Sequence, residues 1–286
     1  MNTEKFYSRK EGFFKSYKET QIFFQTWEAT DPKLQVVITH GHGEHSECYH
    51  RLIEFFAGSQ INFTAWDLRG HGKSEGKRGY ADTFNDFVYD FEIFTERINA
   101  LNSENLPVVY LAHSMGALIQ EKYFISNTDF RPEAQVLSAP LLGFSLPVPS
   151  IKQIASRVLD LVYPKLTLWN EITYEMLTKD AEVIKEFEKD NLRHDVLSAS
   201  VYLGMIENIR LVHEQAKKIK IPTLIQVSED DPIVSAASCK DFYQQISSAE
   251  KRILLYGENS KHEMYNDTNR INVFKDLKKF LEGYLK

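Results

Sequence analysis

The sequence predicts an α/β fold: a mainly parallel central sheet flanked by helices, interrupted by an inserted helical cap. Three observations carry this. Short apolar, β-branched runs alternate with helix-length segments along most of the chain, as buried parallel strands and their crossover helices do. One run, over 107–112, passes within two residues into a helix-forming stretch that begins at Met115. The alternation then fails once, over about 144–208.

The elements follow in order. Residues 12–29 alternate well enough for two early strands, with Lys18, Glu19 and Thr20 as their turn. A buried strand over 34–40 leads through a Gly-rich loop to a helix near 48–58. A strand over 61–66, a loop over 67–79 and a long helix near 83–101 come next. The 107–112 strand and its helix precede a strand over 134–138. After the break, strands over 222–227 and 252–256 resume the pattern, and a helix near 269–285 ends it. The core is therefore expected at 1–143 and 209–286, with the cap at 144–208. Within the cap, Ile151, Ile154, Ala155, Val158, Leu161 and Val162 recur at helical spacing, and Pro164 stops the run. That stripe fits packing on the core, contact with lipid, or both. A second helical stretch over 180–189 is heavily charged.

Composition narrows the function. The chain of 286 residues suits one large domain with an insertion, and 43% hydrophobic residues can fill its core. A net charge of −6 without a basic cluster gives no support for nucleic-acid binding. Cys48 and Cys239 imply neither a disulfide framework nor a zinc cluster. The segment 1–18 is polar and charged, and no stretch is apolar enough to span a bilayer. The expectation is a cytoplasmic protein that touches membranes at most from its surface.

A serine on a tight strand-to-helix turn is a nucleophile elbow, which lifts the hydroxyl out of the sheet. Ser114 stands at such a turn, with small residues Ala112 and Gly116 two positions either side. Serine needs a base, and the base needs a third group to fix its tautomer. In chain order an acid and then a histidine should follow the next strands. The 222–227 strand is followed by Glu229, Asp230 and Asp231, and the 252–256 strand by His262. We assign Asp231 as the acid, with Asp230 as runner-up, and His262 as the base. The oxyanion hole needs two N–H donors. Met115 supplies one candidate, and His42, in the Gly-rich loop after the 34–40 strand, the other.

That loop also admits a rival. His40, His42, Glu44 and His45 resemble a metal-ligand cluster of the metallo-β-lactamase-like type, with Glu for Asp. It would leave Ser114, Asp231 and His262 unexplained. We expect no metal and no cofactor. The Gly-rich segment 66–76 lacks phosphate-loop spacing. Asp67 and Arg69 are expected to brace it as a pair.

Together these segments resemble the α/β-hydrolase superfamily, and within it the monoacylglycerol lipase and lysophospholipase group. The motifs are His-Gly-His-Gly-Glu-His-Ser at 40–46, Asp-Leu-Arg-Gly-His-Gly-Lys-Ser-Glu-Gly at 67–76 and Ala-His-Ser-Met-Gly at 112–116. Asp-Pro-Ile-Val at 231–234 and Ser-Lys-His-Glu at 260–263 match the acid and histidine loops, which favours Asp231 over Asp230. The cap sequence over 157–168 resembles the group's lid. The resemblance implies a serine ester hydrolase that removes the acyl group of a single-chain lipid through an acyl-enzyme. It implies a lipid-like ester as the molecular partner, with transient membrane contact through the cap. Glu44 and His113 match positions that shape the polar end of the family's pocket; bracing of the two loops is the alternative. Relatives that bind glycerol often carry Arg shortly after the Gly-Glu-His-Ser segment, where this chain has Glu47 and Cys48. A short-chain esterase, an acyltransferase and an inert ligand-binding scaffold are the other readings.

Overall fold

The computed structural model describes residues 5–146, 150–257 and 260–285. Part of the expected cap entry, 147–149, and positions 258–259 of the expected histidine loop lie outside these residues. Strands β1 (Tyr7–Lys15) and β2 (Gln21–Ala29) form an antiparallel hairpin around Lys18 and Glu19. Then β3 (Leu34–Thr39), α1 (His50–Phe55), β4 (Ile61–Trp66) and α2 (Asn85–Leu101) follow. Strand β5 (Val108–His113), α3 (Met115–Ser126) and β6 (Ala134–Ser138) complete the first half. The insertion holds α4 (Ser150–Val162), β7 (Thr167–Trp169), α5 (Tyr174–Leu177), α6 (Ala181–Lys189) and β8 (Val196–Ser198). The chain returns through α7 (Ala199–Glu214), β9 (Thr223–Ser228), α8 (Ala236–Gln245), β10 (Lys251–Tyr256) and α9 (Arg270–Leu281).

Eight strands form one sheet in the order β1-β2-β4-β3-β5-β6-β9-β10, and β7 pairs with β8 apart from it. Only β2 runs against its neighbours; from β4 to β10 every pairing is parallel. Strand β5 shows why the sheet needs helices on both faces. Its Tyr110 and Ala112 pack with α2, α3, α7 and α8, while Val109 and Leu111 pack with α1 and α9. Strand order reverses between β3 and β5, the place where open α/β sheets bind ligands beyond their carboxyl ends.

Besides the single-turn α5, two helices escaped the sequence reading. Helix α7 runs straight through position 208, where the cap was expected to end. Its buried Val201, Met205 and Val212 are interspersed with half-buried Leu203, Ile206, Ile209 and Leu211 on other faces, which blurs the periodicity. Helix α8 buries only Cys239 and Phe242 and so shows almost no stripe. Asp67 and Arg69 do brace the 66–76 loop, but not as a pair. Asp67 accepts from the N–H groups of Ser46 and Lys73 at 2.8 and 2.7 Å. Arg69 reaches the other way, to Asp90 at 2.6 and 2.8 Å.

Candidate active site

Ser114 joins β5 to α3 at φ 50° and ψ −119°. A non-glycine residue held there costs on the order of 1–3 kcal/mol and persists only where its surroundings over-determine it. Here backbone hydrogen bonds do so. Ser114 N–H donates to the Ser138 carbonyl at 3.1 Å, and the Ser114 carbonyl accepts from Ala117, Leu118 and Leu141 at 3.1 to 3.3 Å. Gly116 is required by crowding: a Cβ there would lie 2.3 Å from the His40 carbonyl oxygen and 2.5 Å from that of Thr39. Ala112 is fully buried, so its methyl is accommodated between sheet and helix.

The loops after β9 and β10 deliver the partners. His262 Nε2 lies 2.9 Å from Ser114 Oγ, and its Nδ1 lies 2.7 Å from Asp231 Oδ2. All three side chains are buried. Asp231 Oδ1 accepts from the N–H groups of Ile233 and Val234 at 2.8 and 2.9 Å, which fixes the carboxylate. Asp230 is exposed. Burial alone would push the His262 imidazole down. The Asp231 carboxylate, with Glu263 and Glu44 behind it, outweighs that and raises it above its ordinary value. Burial likewise opposes ionisation of Asp231, but His262 and the two N–H groups hold it below the usual carboxylate range. The set can take a proton from Ser114 Oγ and stabilise the imidazolium that results.

The two expected oxyanion donors flank the serine. Met115 opens α3, where the N–H has no partner within the helix and the dipole is positive. The β3 loop passes so close that a Cβ on Gly41 would lie 2.9 Å from that of Ser114, which sets the next residue, His42, beside it. The His42 ring points elsewhere: Nε2 meets the Val196 carbonyl at 3.1 Å.

The rival metal set does not converge. His40 Nδ1 donates to the Gly41 carbonyl at 2.7 Å and Nε2 accepts from Leu68 N–H at 2.9 Å. Glu44 accepts from Gly41 N–H at 2.5 Å and Tyr49 O–H at 3.3 Å, and His45 turns to Asp190 at 2.7 Å. Burial drives His40 to about 3 and His42 to about 4, so both are neutral.

At the polar end, His113 Nδ1 donates to the Ser138 carbonyl at 3.0 Å and its ring lies 4.7 Å from that of His262. Burial and the adjacent His262 hold His113 neutral, down to about 3. Its 3.7 Å approach to Glu44 is thus not an ion pair. Burial and the facing Glu263 carboxylate push Glu44 up to about 7. Two members of this cluster were missed in the sequence, Arg193 and Glu263. Arg193 enters from the insertion, packs on the Phe187 ring at 3.6 Å and forks onto Glu263 at 2.7 to 2.9 Å. Burial disfavours the Glu263 carboxylate, yet the guanidinium keeps it below its ordinary range. Nothing local marks this pair, because its members stand 70 residues apart. A cavity of about 50 Å³ remains above Ser114, walled by Ile172, Tyr174, Leu177 and Ile233 opposite His42 and His262.

Comparison with known proteins identifies the family. The family described as "Serine aminopeptidase, S33" matches residues 30–269. An uncharacterized abhydrolase domain-containing protein of Dictyostelium discoideum is 28% identical over 88% of this chain, which spans only 26% of that protein. The phospholipase YtpA of Bacillus subtilis is 27% identical over 91% of this chain and 99% of its own. The crystal structure of the monoacylglycerol lipase of Paleococcus ferrophilus superposes with a TM-score of 0.81 at 25% identity, covering 97% of this chain and 99% of that one. The chain thus belongs to the serine aminopeptidase S33 family, an enzyme of the α/β-hydrolase superfamily in its monoacylglycerol lipase group.

Proposed function

We propose that this hydrolase cleaves the acyl ester of a single-chain lipid, a monoacylglycerol or a lysophospholipid, through an acyl-enzyme on Ser114. The observation that carries the reading is the unbroken hydrogen-bonded line from Ser114 Oγ through His262 to Asp231 at 2.9 and 2.7 Å. Ser114 Oγ attacks the ester carbonyl while His262 Nε2 takes its proton. The N–H groups of Met115 and His42 receive the oxyanion. The imidazolium then protonates the leaving alcohol, and water, activated by His262, releases the fatty acid.

Several features support a lipid with a polar head. Glu44, His113, Arg193 and Glu263 lie together beside the serine and offer groups to hydroxyls or a charged head. The expected arginine after Ser46 is absent, and the guanidinium at this end comes instead from the insertion. We read the insertion as a cap that meets the membrane. The α4 stripe does not pack on the core: Ile151, Ile154, Val158, Leu161 and Val162 are exposed, Leu161 by 85%. Tyr163, Leu168 and Trp169 continue the apolar surface, an arrangement suited to lying in a lipid interface. Among the described residues no helix is long and apolar enough to cross a membrane.

The narrow cavity favours a second reading, a short-chain carboxylesterase. Drug-sized ligands occupy roughly 300–1,000 Å³, so about 50 Å³ admits an ester group but no long chain unless the insertion moves. Fatty-acid release from monoacylglycerol, lysophosphatidylcholine and short-chain p-nitrophenyl esters separates the readings. Release from a long-chain lipid, lost by about a thousandfold or more in Ser114→Ala, supports the proposal. Turnover confined to acyl chains of a few carbons supports the esterase. Long-chain release that survives Ser114→Ala overturns the acyl-enzyme.

A further inference from the structure

We propose that His45, Cys48 and Asp190 form a binding site for a divalent transition-metal ion of the zinc class, distinct from the Ser114 centre. Their ligand atoms, an imidazole nitrogen, a thiol sulfur and a carboxylate oxygen, all lie within 4.8 Å of one another. His45 and Cys48 are buried at 2% and 7% exposure, and Asp190 is half-buried. Cys48 is a free thiol. The His45 ring holds Asp190 Oδ2 at 2.7 Å through Nε2, and Cys48 stands beside the same ring.

The donor set selects the ion. One nitrogen, one sulfur and one oxygen suit a borderline cation such as Zn²⁺, whereas calcium and magnesium prefer oxygen alone. Tetrahedral ligands at about 2.0–2.3 Å from such an ion stand roughly 3.3–3.7 Å apart. The His45–Asp190 contact therefore opens slightly and the wider contacts close, within reach of side-chain rotation. A thiolate, a neutral imidazole and a carboxylate together neutralise a divalent ion. Ligands of this kind bind such an ion in their deprotonated forms, so the affinity weakens as pH falls. A cleft of about 220 Å³ lined by all three residues gives the ion a way in. Its margin carries Glu47, paired with Arg9 and Lys73, and Glu186, paired with Arg51. Both acids are already engaged by these cations, and the fourth position is left to water.

The place in the fold gives the site a consequence. His45 and Cys48 follow the loop that carries His42 and Glu44. Asp190 closes the end of α6 in the insertion, four residues before His194 donates to the Gly43 carbonyl at 3.2 Å. An ion here fastens the insertion to that loop.

The test uses the full chain after dialysis against a chelator, titrated with Co²⁺ as a visible stand-in and then with Zn²⁺. One equivalent of Co²⁺ should give a thiolate-to-cobalt charge-transfer band and four-coordinate visible bands, both removed by Zn²⁺. Cys48→Ser should abolish the charge-transfer band. Asp190→Asn, at the half-buried end and less prone to disturb folding, should weaken the affinity at least tenfold. Cys239→Ser, a cysteine remote from the cluster, should leave both unchanged. Zn²⁺ should raise the Tm of the parent chain but not of the two site variants. Absence of a charge-transfer band, or a band that persists in Cys48→Ser, overturns the proposal. So does an unchanged affinity in Asp190→Asn. None of these readings depends on ester hydrolysis.

Discussion

The β5–α3 junction buries polar groups and α4 exposes apolar ones. At the junction, Ser114, His262 and Asp231 are withdrawn from solvent, and each polar atom that matters is held by a named partner. On α4 the largest apolar side chains stand in water with no core beneath them. Neither arrangement suits folding alone. Burying a charge is tolerated when it is paired, and exposing leucine or isoleucine in one patch is unusual in a protein with no surface to meet. The difference teaches that the two regions answer to different surroundings: the first to a reacting ester, the second to whatever medium presents it.

The comparison can be broken most severely at Asp231. Asp231→Asn should lower kcat by about 10³- to 10⁴-fold while the fold persists, since the imidazole loses its orienting acceptor. The pH profile sharpens this. The parent acid limb should lie above 6.5, because the base is active only once His262 has lost its proton and Asp231 raises the pH at which it does so. Without that carboxylate charge, burial dominates and the limb should move to lower pH, read from kcat/KM against pH. An unchanged limb would break the assignment.

Arg193 tests whether the two regions are separate at all. It belongs to the insertion yet neutralises Glu263 on the core. Arg193→Ala leaves two buried carboxyls facing each other and should cost about 3–5 kcal/mol in denaturant unfolding. Loss of only a few tenths would mean that the pair is not desolvated in solution. The smallest effect is expected on α4. Leu161→Asp should reduce hydrolysis of vesicle-borne substrate several-fold and leave a soluble short-chain ester untouched. Equal loss on both would show that the stripe packs inward during turnover.

The sheet was largely legible in the sequence because β3, β4, β5, β6 and β9 are buried on both faces and read as mainly apolar runs, while the β1–β2 hairpin shows alternation. The elbow was legible because a strand, a serine and a helix abut within ten residues. Asp231 and His262 could be placed from their position after successive strands. Helix α8 was not legible because a helix that buries two side chains has no stripe to read. Arg193 was invisible for another reason. Its partner is far along the chain, and only folding shows that a guanidinium from the insertion stands at the polar end of the cavity. The orientation of the α4 stripe was also beyond the sequence, since the same spacing serves a core or a lipid interface.

The approach of Gly116 to the end of β3 has a mechanical consequence. The carbonyls of Thr39 and His40 sit where a side chain on Gly116 would need to be. The loop that brings His42 therefore rests directly on the first turn of the helix that brings Met115, with no compressible side chain between them. That contact couples the position of the loop to that of the helix. A disturbance that tilts the helix carries the loop with it, so the spacing between the two N–H groups proposed to receive the oxyanion is preserved.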